Sequence, residues 1–66
     1  MNFTEAYEHM KRGKTVKRGE PNWETFMKIE DNTIRYRDLL DGIESGWEDG
    51  SILLEDLEAT DWEIVE

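Results

Sequence analysis

The sequence predicts an α+β fold in which an N-terminal helix packs on a small antiparallel β-sheet or partial barrel. Apolar residues repeat at helical spacing over residues 3–12, alternate every second residue over residues 22–37, and alternate again over residues 62–65. The 66 residues allow a single domain, residues 1–66, with a thin core. We therefore expect copies of the chain to associate as a homo-oligomer.

The first predicted element is an amphipathic helix over residues 3–12. Asn2 and Glu5 have the spacing of a capping box, and Gly13 supplies a C-terminal stop. Four apolar side chains share the face that we expect to enter the core, namely Phe3, Ala6, Tyr7 and Met10.

The middle of the chain is predicted to form strands. Residues 14–19 combine β-branched residues with alternation, which favours a short strand. Residues 22–37 resemble a β-hairpin with its turn at Asp31-Asn32. One face of this hairpin would carry Trp23, Thr25, Met27 and Ile29. Arg35 and Arg37 would lie on the other face, opposite Glu24, Lys28 or Glu30.

Residues 38–66 give weaker patterns. Residues 38–50 contain Leu39, Leu40 and Ile43 at helical spacing but also three glycines, which favours a loop with one helical turn. A single turn of helix is predicted over residues 54–59. Residues 62–65 resume strand alternation, and we expect Trp62 and Ile64 to enter the core.

Charge is distributed unevenly along the chain. The net charge is −9; all eight lysines and arginines lie in residues 1–37, whereas residues 38–66 contain eleven acids and no base. Such an acidic half repels nucleic acid and anionic membranes and attracts basic protein surfaces. It therefore predicts no direct nucleic-acid or membrane partner. It could equally be a solvated face that serves solubility.

Several classes of chemistry are excluded by composition. There is no cysteine and only one histidine, so neither a disulfide nor a zinc centre is expected, and the acidic stretches lack EF-hand spacing. Since neither a nucleophile motif nor a phosphate-binding glycine loop is present, we predict no catalytic residues, no metal and no cofactor. The N-terminus lacks the pattern of a signal peptide, which predicts a cytoplasmic protein.

Aromatic residues near predicted turns suggest a ligand site. Trp23 and Trp47 each lie next to a turn, and an indole can stack on a nucleobase. Arg18 would supply a planar partner for an anion. Together Arg18, Asn22, Trp23 and Trp47 suggest a small pocket for a nucleotide-like ligand.

The two ends of the chain resemble the Thoeris anti-defence family of small phage and prophage proteins. Members begin with F-x-E-A-L-x-x-L-K-x-G-K-x-V-R-R and close on D-W-E-I-V. The matching positions at the start are Phe3, Glu5, Ala6, Met10, Lys11, Gly13, Lys14, Val16, Lys17 and Arg18, and those at the end are Leu57, Ala59, Asp61, Trp62, Glu63, Ile64 and Val65. The family pattern W-N-G is replaced by EPNWE, and DGIESGWEDG has no clear family counterpart.

This resemblance implies a phage-encoded protein, acting in the cytoplasm of a bacterial host, that defeats immunity without catalysis. Relatives are sponges, oligomers that sequester a cyclic ADP-ribose-type or other cyclic nucleotide signal, and other relatives are associated with inhibition of Cas nucleases. The first hypothesis is therefore an oligomeric sponge. The alternative is a DNA mimic whose acids occupy a basic nucleic-acid-binding surface of a host protein, using Asp49, Glu55, Asp56, Glu58 and Asp61.

Overall fold

The computed structural model describes residues 1–20, 22–50 and 52–65. Its elements are helix α1 (Phe3–Lys11), strands β1 (Val16–Glu20), β2 (Trp23–Glu30), β3 (Thr33–Leu40), β4 (Ile43–Glu44) and β5 (Glu48–Asp49), helix α2 (Leu54–Glu58) and strand β6 (Glu63–Ile64). All described strand pairs are antiparallel, and α1 packs against the sheet. The predicted α+β class, a helix on a small antiparallel sheet, is confirmed.

Helix α1 has the ends that the sequence predicts. The Asn2 side chain accepts a hydrogen bond from the Glu5 N–H, and the Glu5 carboxylate accepts one from the Asn2 N–H, which completes the capping box. Gly13 follows the helix with φ 89°, a conformation that favours glycine. The prediction that Tyr7 is a core residue is wrong. Tyr7 is 38% exposed, because it lies at the rim of the buried face, stacked on Phe3 and beneath Lys11.

The sheet is built around the long β2–β3 hairpin. Across the sheet the strands lie in the order β4, β3, β2, β1, β6, and β5 also pairs with β3. Asp31 and Asn32 have φ values of 52° and 60°, so the predicted two-residue turn is present and matches the right-handed twist of the strands.

Residues 38–50 differ from the prediction, since they contain strands and no helical turn. Strand β3 continues to Leu40, and Asp41-Gly42, with φ values of 50° and 83°, form a second two-residue turn that starts β4. Leu39 pairs with Glu44 and Tyr36 with Glu48, so the two residues between these pairs on β3 oppose three residues, 45–47, on the other side. This extra residue is typical of a β-bulge, and it lies in residues 45–47, between β4 and β5.

The core lies between α1 and the sheet, and it is closed by the C-terminal residues. The cluster of buried hydrophobic side chains contains Ala6, Met10, Val16, Met27 and Trp62. Trp62 is 1% exposed, and its Nε1 donates a hydrogen bond of 3.0 Å to the Asp56 carbonyl. Its predicted core position is therefore confirmed.

Two further predictions concern Ile64 and helix α2. The predicted core position of Ile64 is wrong, because Ile64 is 40% exposed at the edge of the sheet in the two-residue strand β6. The single helical turn predicted over residues 54–59 is confirmed as α2. No helix in residues 1–20, 22–50 or 52–65 has the length and apolar character needed to cross a membrane.

Candidate functional site

A cleft opens beside the core on the face of the sheet that carries the helices. Alternate residues of β2 and β3 form its floor, and the start of α2 forms its rim. Its volume is about 390 Å³, which lies within the range of about 300 to 1,000 Å³ found for small-molecule sites. The described residues that line it are Trp23, Thr25, Met27, Tyr36, Asp38, Leu53, Glu55 and Asp56.

The strand register determines which side chains meet in the cleft. Thr25 lies directly opposite Asp38, and its Oγ1 donates a hydrogen bond of 3.0 Å to Asp38 Oδ1. Met27 lies opposite Tyr36, so the thioether and the phenol ring lie side by side on the floor. The cleft thus has an apolar floor and a carboxylate held in place at one end.

Arg18 on β1 lies next to the cleft and forms two ion pairs. Its Nη1 is 3.0 Å from Asp56 Oδ1 and its Nε is 3.0 Å from Asp61 Oδ1. Its guanidinium carbon is also 5.5 Å from the centre of the Trp23 ring, within the reach of a cation–π contact. These contacts fix α2 and the residues after it against β1.

The same contacts shift two pKa values in the direction that favours charge. Burial acts against the charged form of Arg18, but hydrogen bonds to Asp61 and Asp56 outweigh it, so the pKa of Arg18 is raised. The hydrogen bond from Arg18 lowers the pKa of Asp61. At neutral pH Arg18 and Asp61 are therefore both ionised.

The structure does not bring all four predicted ligand-binding residues together. Arg18 and Trp23 are in contact beside the cleft. Asn22 is exposed in the connection from β1 to β2, where its carbonyl accepts a hydrogen bond from the Asp41 N–H at 3.0 Å. Trp47 lies on the opposite face of the sheet, with the Lys28 Nζ at 4.3 Å from its ring centre.

The five acids of the alternative hypothesis fall into two groups. Asp56 and Asp61 pair with Arg18, and Asp49 pairs with Arg35 at 2.6 Å. Glu55 and Glu58 are exposed on α2 and form no ion pair with another described residue. Glu55 is one of these five acids, which together form the proposed acidic surface, and it also lines the cleft.

The opposite face of the sheet is covered by paired charges and Trp47. Arg37 lies between two aromatic rings, 4.8 Å from the centre of Phe26 and 5.2 Å from that of Trp47. It also pairs with Glu44 at 3.1 Å, and Lys17 pairs with Glu24 at 2.8 Å. The cations of this face are thus already engaged by carboxylates.

Sequence reasoning missed part of the cleft. Thr25 and Met27 were placed on the Trp23 face by their alternation, but Tyr36 and Asp38 were not assigned to a site. The Asp41-Gly42 dipeptide, a strong signal for a hairpin turn, could have extended β3 through Asp38 and placed it on that face.

Comparisons with known proteins add no assignment. No protein-family model, curated protein or solved structure matches this chain. The resemblance of its ends to the Thoeris anti-defence family stays a prediction.

Proposed function

We propose that this protein acts by stoichiometric binding without catalysis, and that its acidic half occupies a basic nucleic-acid-binding surface of a host protein as a DNA mimic. The observation that carries the proposal is the uneven pairing of charges. The bases of the sheet are ion-paired, namely Lys17, Arg18, Lys28, Arg35 and Arg37. By contrast, Asp38, Glu55 and Glu58 form no ion pair within the described part of the chain.

Three acids without an ion pair among the described residues lie on α2 or in the cleft beside it. Glu55 and Glu58 are exposed on α2, and Asp38 lies in the cleft beside it. Because the neighbouring Arg18 is shared between two other carboxylates, it does not neutralise them. A surface with excess negative charge attracts a basic partner over long range. The resemblance to relatives associated with Cas nucleases suggests a basic nuclease surface as one partner of this kind.

The nucleotide sponge is the second candidate, and the contact of Arg18 with Trp23 favours it. A guanidinium beside an indole suits a base and its phosphate. However, Arg18 already pairs with Asp56 and Asp61, and no described residue lining the cleft is basic. A cyclic nucleotide or ADP-ribose-type ligand would therefore need a cation from a second copy in a homo-oligomer.

Competition with DNA tests the mimic. A fluorescent DNA duplex is bound to poly-L-lysine, and the protein is added while anisotropy is followed. We expect the protein to displace the duplex, and to lose this ability as salt is raised from about 0.05 M to about 0.5 M, because the attraction is between exposed charges. A duplex that stays bound at excess protein in low salt would exclude the mimic.

Matched variants separate a specific surface from overall charge. The pair Glu55→Gln and Glu58→Gln should weaken displacement more than the pair Glu8→Gln and Asp31→Asn, which removes the same charge from the N-terminal half. Equal losses would show that only net charge matters.

Ligand release tests the sponge. Protein purified from bacteria with active cyclic-nucleotide signalling is denatured by heat, and the supernatant is analysed by mass spectrometry. A nucleotide released in stoichiometric amount would favour the sponge over the mimic, whereas its absence across signal classes would count against it.

A further inference from the structure

The cleft combines an apolar wall with carboxylates, which defines the chemistry of what it can bind. Trp23, Met27, Tyr36 and Leu53 present apolar surface, whereas Asp38, Glu55 and Asp56 present oxygen atoms. A ligand with an apolar stem and a cationic end satisfies both parts, because the stem packs on the rings and the charge meets the acids.

The acids of the cleft are unequally neutralised. Asp56 is buried and paired with Arg18. Among the described side chains only the neutral Thr25 donates a hydrogen bond to the Asp38 carboxylate, and Glu55 is exposed. Asp38 and Glu55 thus form no ion pair with another described residue and remain to receive a cation.

We propose that this cleft receives the side chain of an arginine or lysine from a basic partner protein, with arginine favoured. The inference rests on the proposed function and names the contact that anchors it. The alkyl stem would lie along Trp23 and Tyr36, and the cationic end would reach Asp38 and Glu55. Arginine is favoured because its planar fork can contact a carboxylate through two N–H groups and stack on a ring. On the border of this cleft Arg18 already contacts two carboxylates, with one nitrogen to each of Asp56 and Asp61, and lies against the Trp23 ring.

The test is an NMR titration of the intact chain with N-acetyl-arginine methylamide, following the indole N–H of Trp23. The matched control is the citrulline compound, which has nearly the same shape and no charge. We expect saturable shifts of Trp23 with the arginine compound and binding at least about tenfold weaker with citrulline. Shifts of equal size with both compounds, or none with arginine, would overturn the proposal.

Two variants identify the carboxylates. Glu55→Gln and Asp38→Asn should each weaken arginine binding by about three- to tenfold. Asp31→Asn removes the same charge from the distant β2–β3 turn, where asparagine suits the left-handed backbone, and should leave binding unchanged. Since Glu55 is exposed, Glu55→Gln should fold even if Asp38→Asn does not. An effect of Glu55→Gln no larger than that of Asp31→Asn would contradict the assignment.

Two further measurements distinguish failure of the cleft from failure of the proposed function. If the protein displaces DNA from poly-L-lysine but the indole N–H signal of Trp23 does not shift with the arginine compound, the acidic surface binds without the cleft. In that case only the assignment of the cleft is wrong. If displacement also fails, the proposed function falls with it. Spermidine binding tighter than the arginine compound would assign the cleft to a free polyamine and overturn its assignment to a protein side chain.

Discussion

The contacts of Arg18 bear on the choice between the nucleotide sponge and the DNA mimic. As an anion-binding residue it would need a free guanidinium, yet two of its nitrogen atoms are engaged by Asp56 and Asp61. Asp56 has a side chain only 7% exposed, and a buried carboxylate without a partner is strongly destabilising. Arg18 is therefore a structural residue in this conformation.

Replacing Arg18 should destabilise the fold. Arg18→Met keeps the apolar stem and leaves Asp56 buried without a partner, so we expect a loss of about 2 to 4 kcal/mol in the free energy of unfolding, measured by urea denaturation. The double variant Arg18→Met with Asp56→Asn should recover part of that loss, because the orphaned charge is gone.

Lys17 on the same strand provides the control. Its pair with Glu24 is more accessible to solvent than that of Arg18 with Asp56, so Lys17→Met should cost clearly less stability. If Arg18→Met is as stable as the wild type, the two ion pairs do not hold α2 in place.

At the scale of elements, the stretch DGIESGWEDG contains three glycines with different roles. Gly42 has φ 83° in the β3–β4 turn, Gly46 lies in open space, and Gly50 packs directly on the Tyr36 ring. Gly42→Ala should cost about 1 kcal/mol because the left-handed conformation disfavours a Cβ. Gly50→Ala should also destabilise, since the added methyl group would overlap the ring.

Gly46→Ala is the matched control for both substitutions. Apart from its two chain neighbours, no described residue has an atom within 4 Å of the place that its added Cβ would take, and the φ of Gly46 is not positive, so the free energy of unfolding of this variant should stay close to that of the wild type. The three variants are compared by urea denaturation. Equal effects at all three positions would mean that residues 41–50 are an irregular loop rather than the turn, β4, bulge and β5 of the structure.

The same stretch shows what the sequence could and could not predict. The β2–β3 hairpin follows from strict alternation and from Asp31-Asn32, because both signals depend on neighbouring residues. In residues 38–50 the helical spacing of Leu39, Leu40 and Ile43 competed with the Asp41-Gly42 turn, and tertiary pairing with β3 favoured the turn. Three of the eight described residues that line the cleft follow from the same local signal, since alternation places Trp23, Thr25 and Met27 on one face.

The rest of the candidate site depends on contacts between distant parts of the chain. Asp56 and Asp61 lie 38 and 43 residues from Arg18. No local pattern indicates that a cation on β1 will be neutralised by acids around α2. The sequence therefore predicted Arg18 and Trp23 as neighbours but not the carboxylates that change the kind of ligand the cleft favours.

At the scale of the whole molecule, stability depends on very few buried side chains. A chain of 66 residues has a typical free energy of unfolding of about 3 to 10 kcal/mol, at about 0.05 to 0.15 kcal/mol per residue. Among the described residues, six hydrophobic side chains are buried, and Trp62 is the largest of those almost wholly inaccessible to solvent. It joins α1, the carbonyl of Asp56 in α2 and the C-terminal strand.

Trp62→Ala should abolish cooperative folding. Truncating a buried tryptophan costs about 3 to 5 kcal/mol, and here the Asp56 carbonyl would also lose its hydrogen bond. Because this cost is comparable with the whole stability of such a chain, we expect collapsed amide dispersion in NMR spectra and no sigmoidal urea transition.

Trp47→Ala is the control, since Trp47 is half-buried on the opposite face and outside the core cluster. It should retain a dispersed spectrum and a cooperative transition. A folded, cooperative Trp62→Ala protein would show that the C-terminal segment does not close the core, and the α2 rim of the cleft would then lack its support.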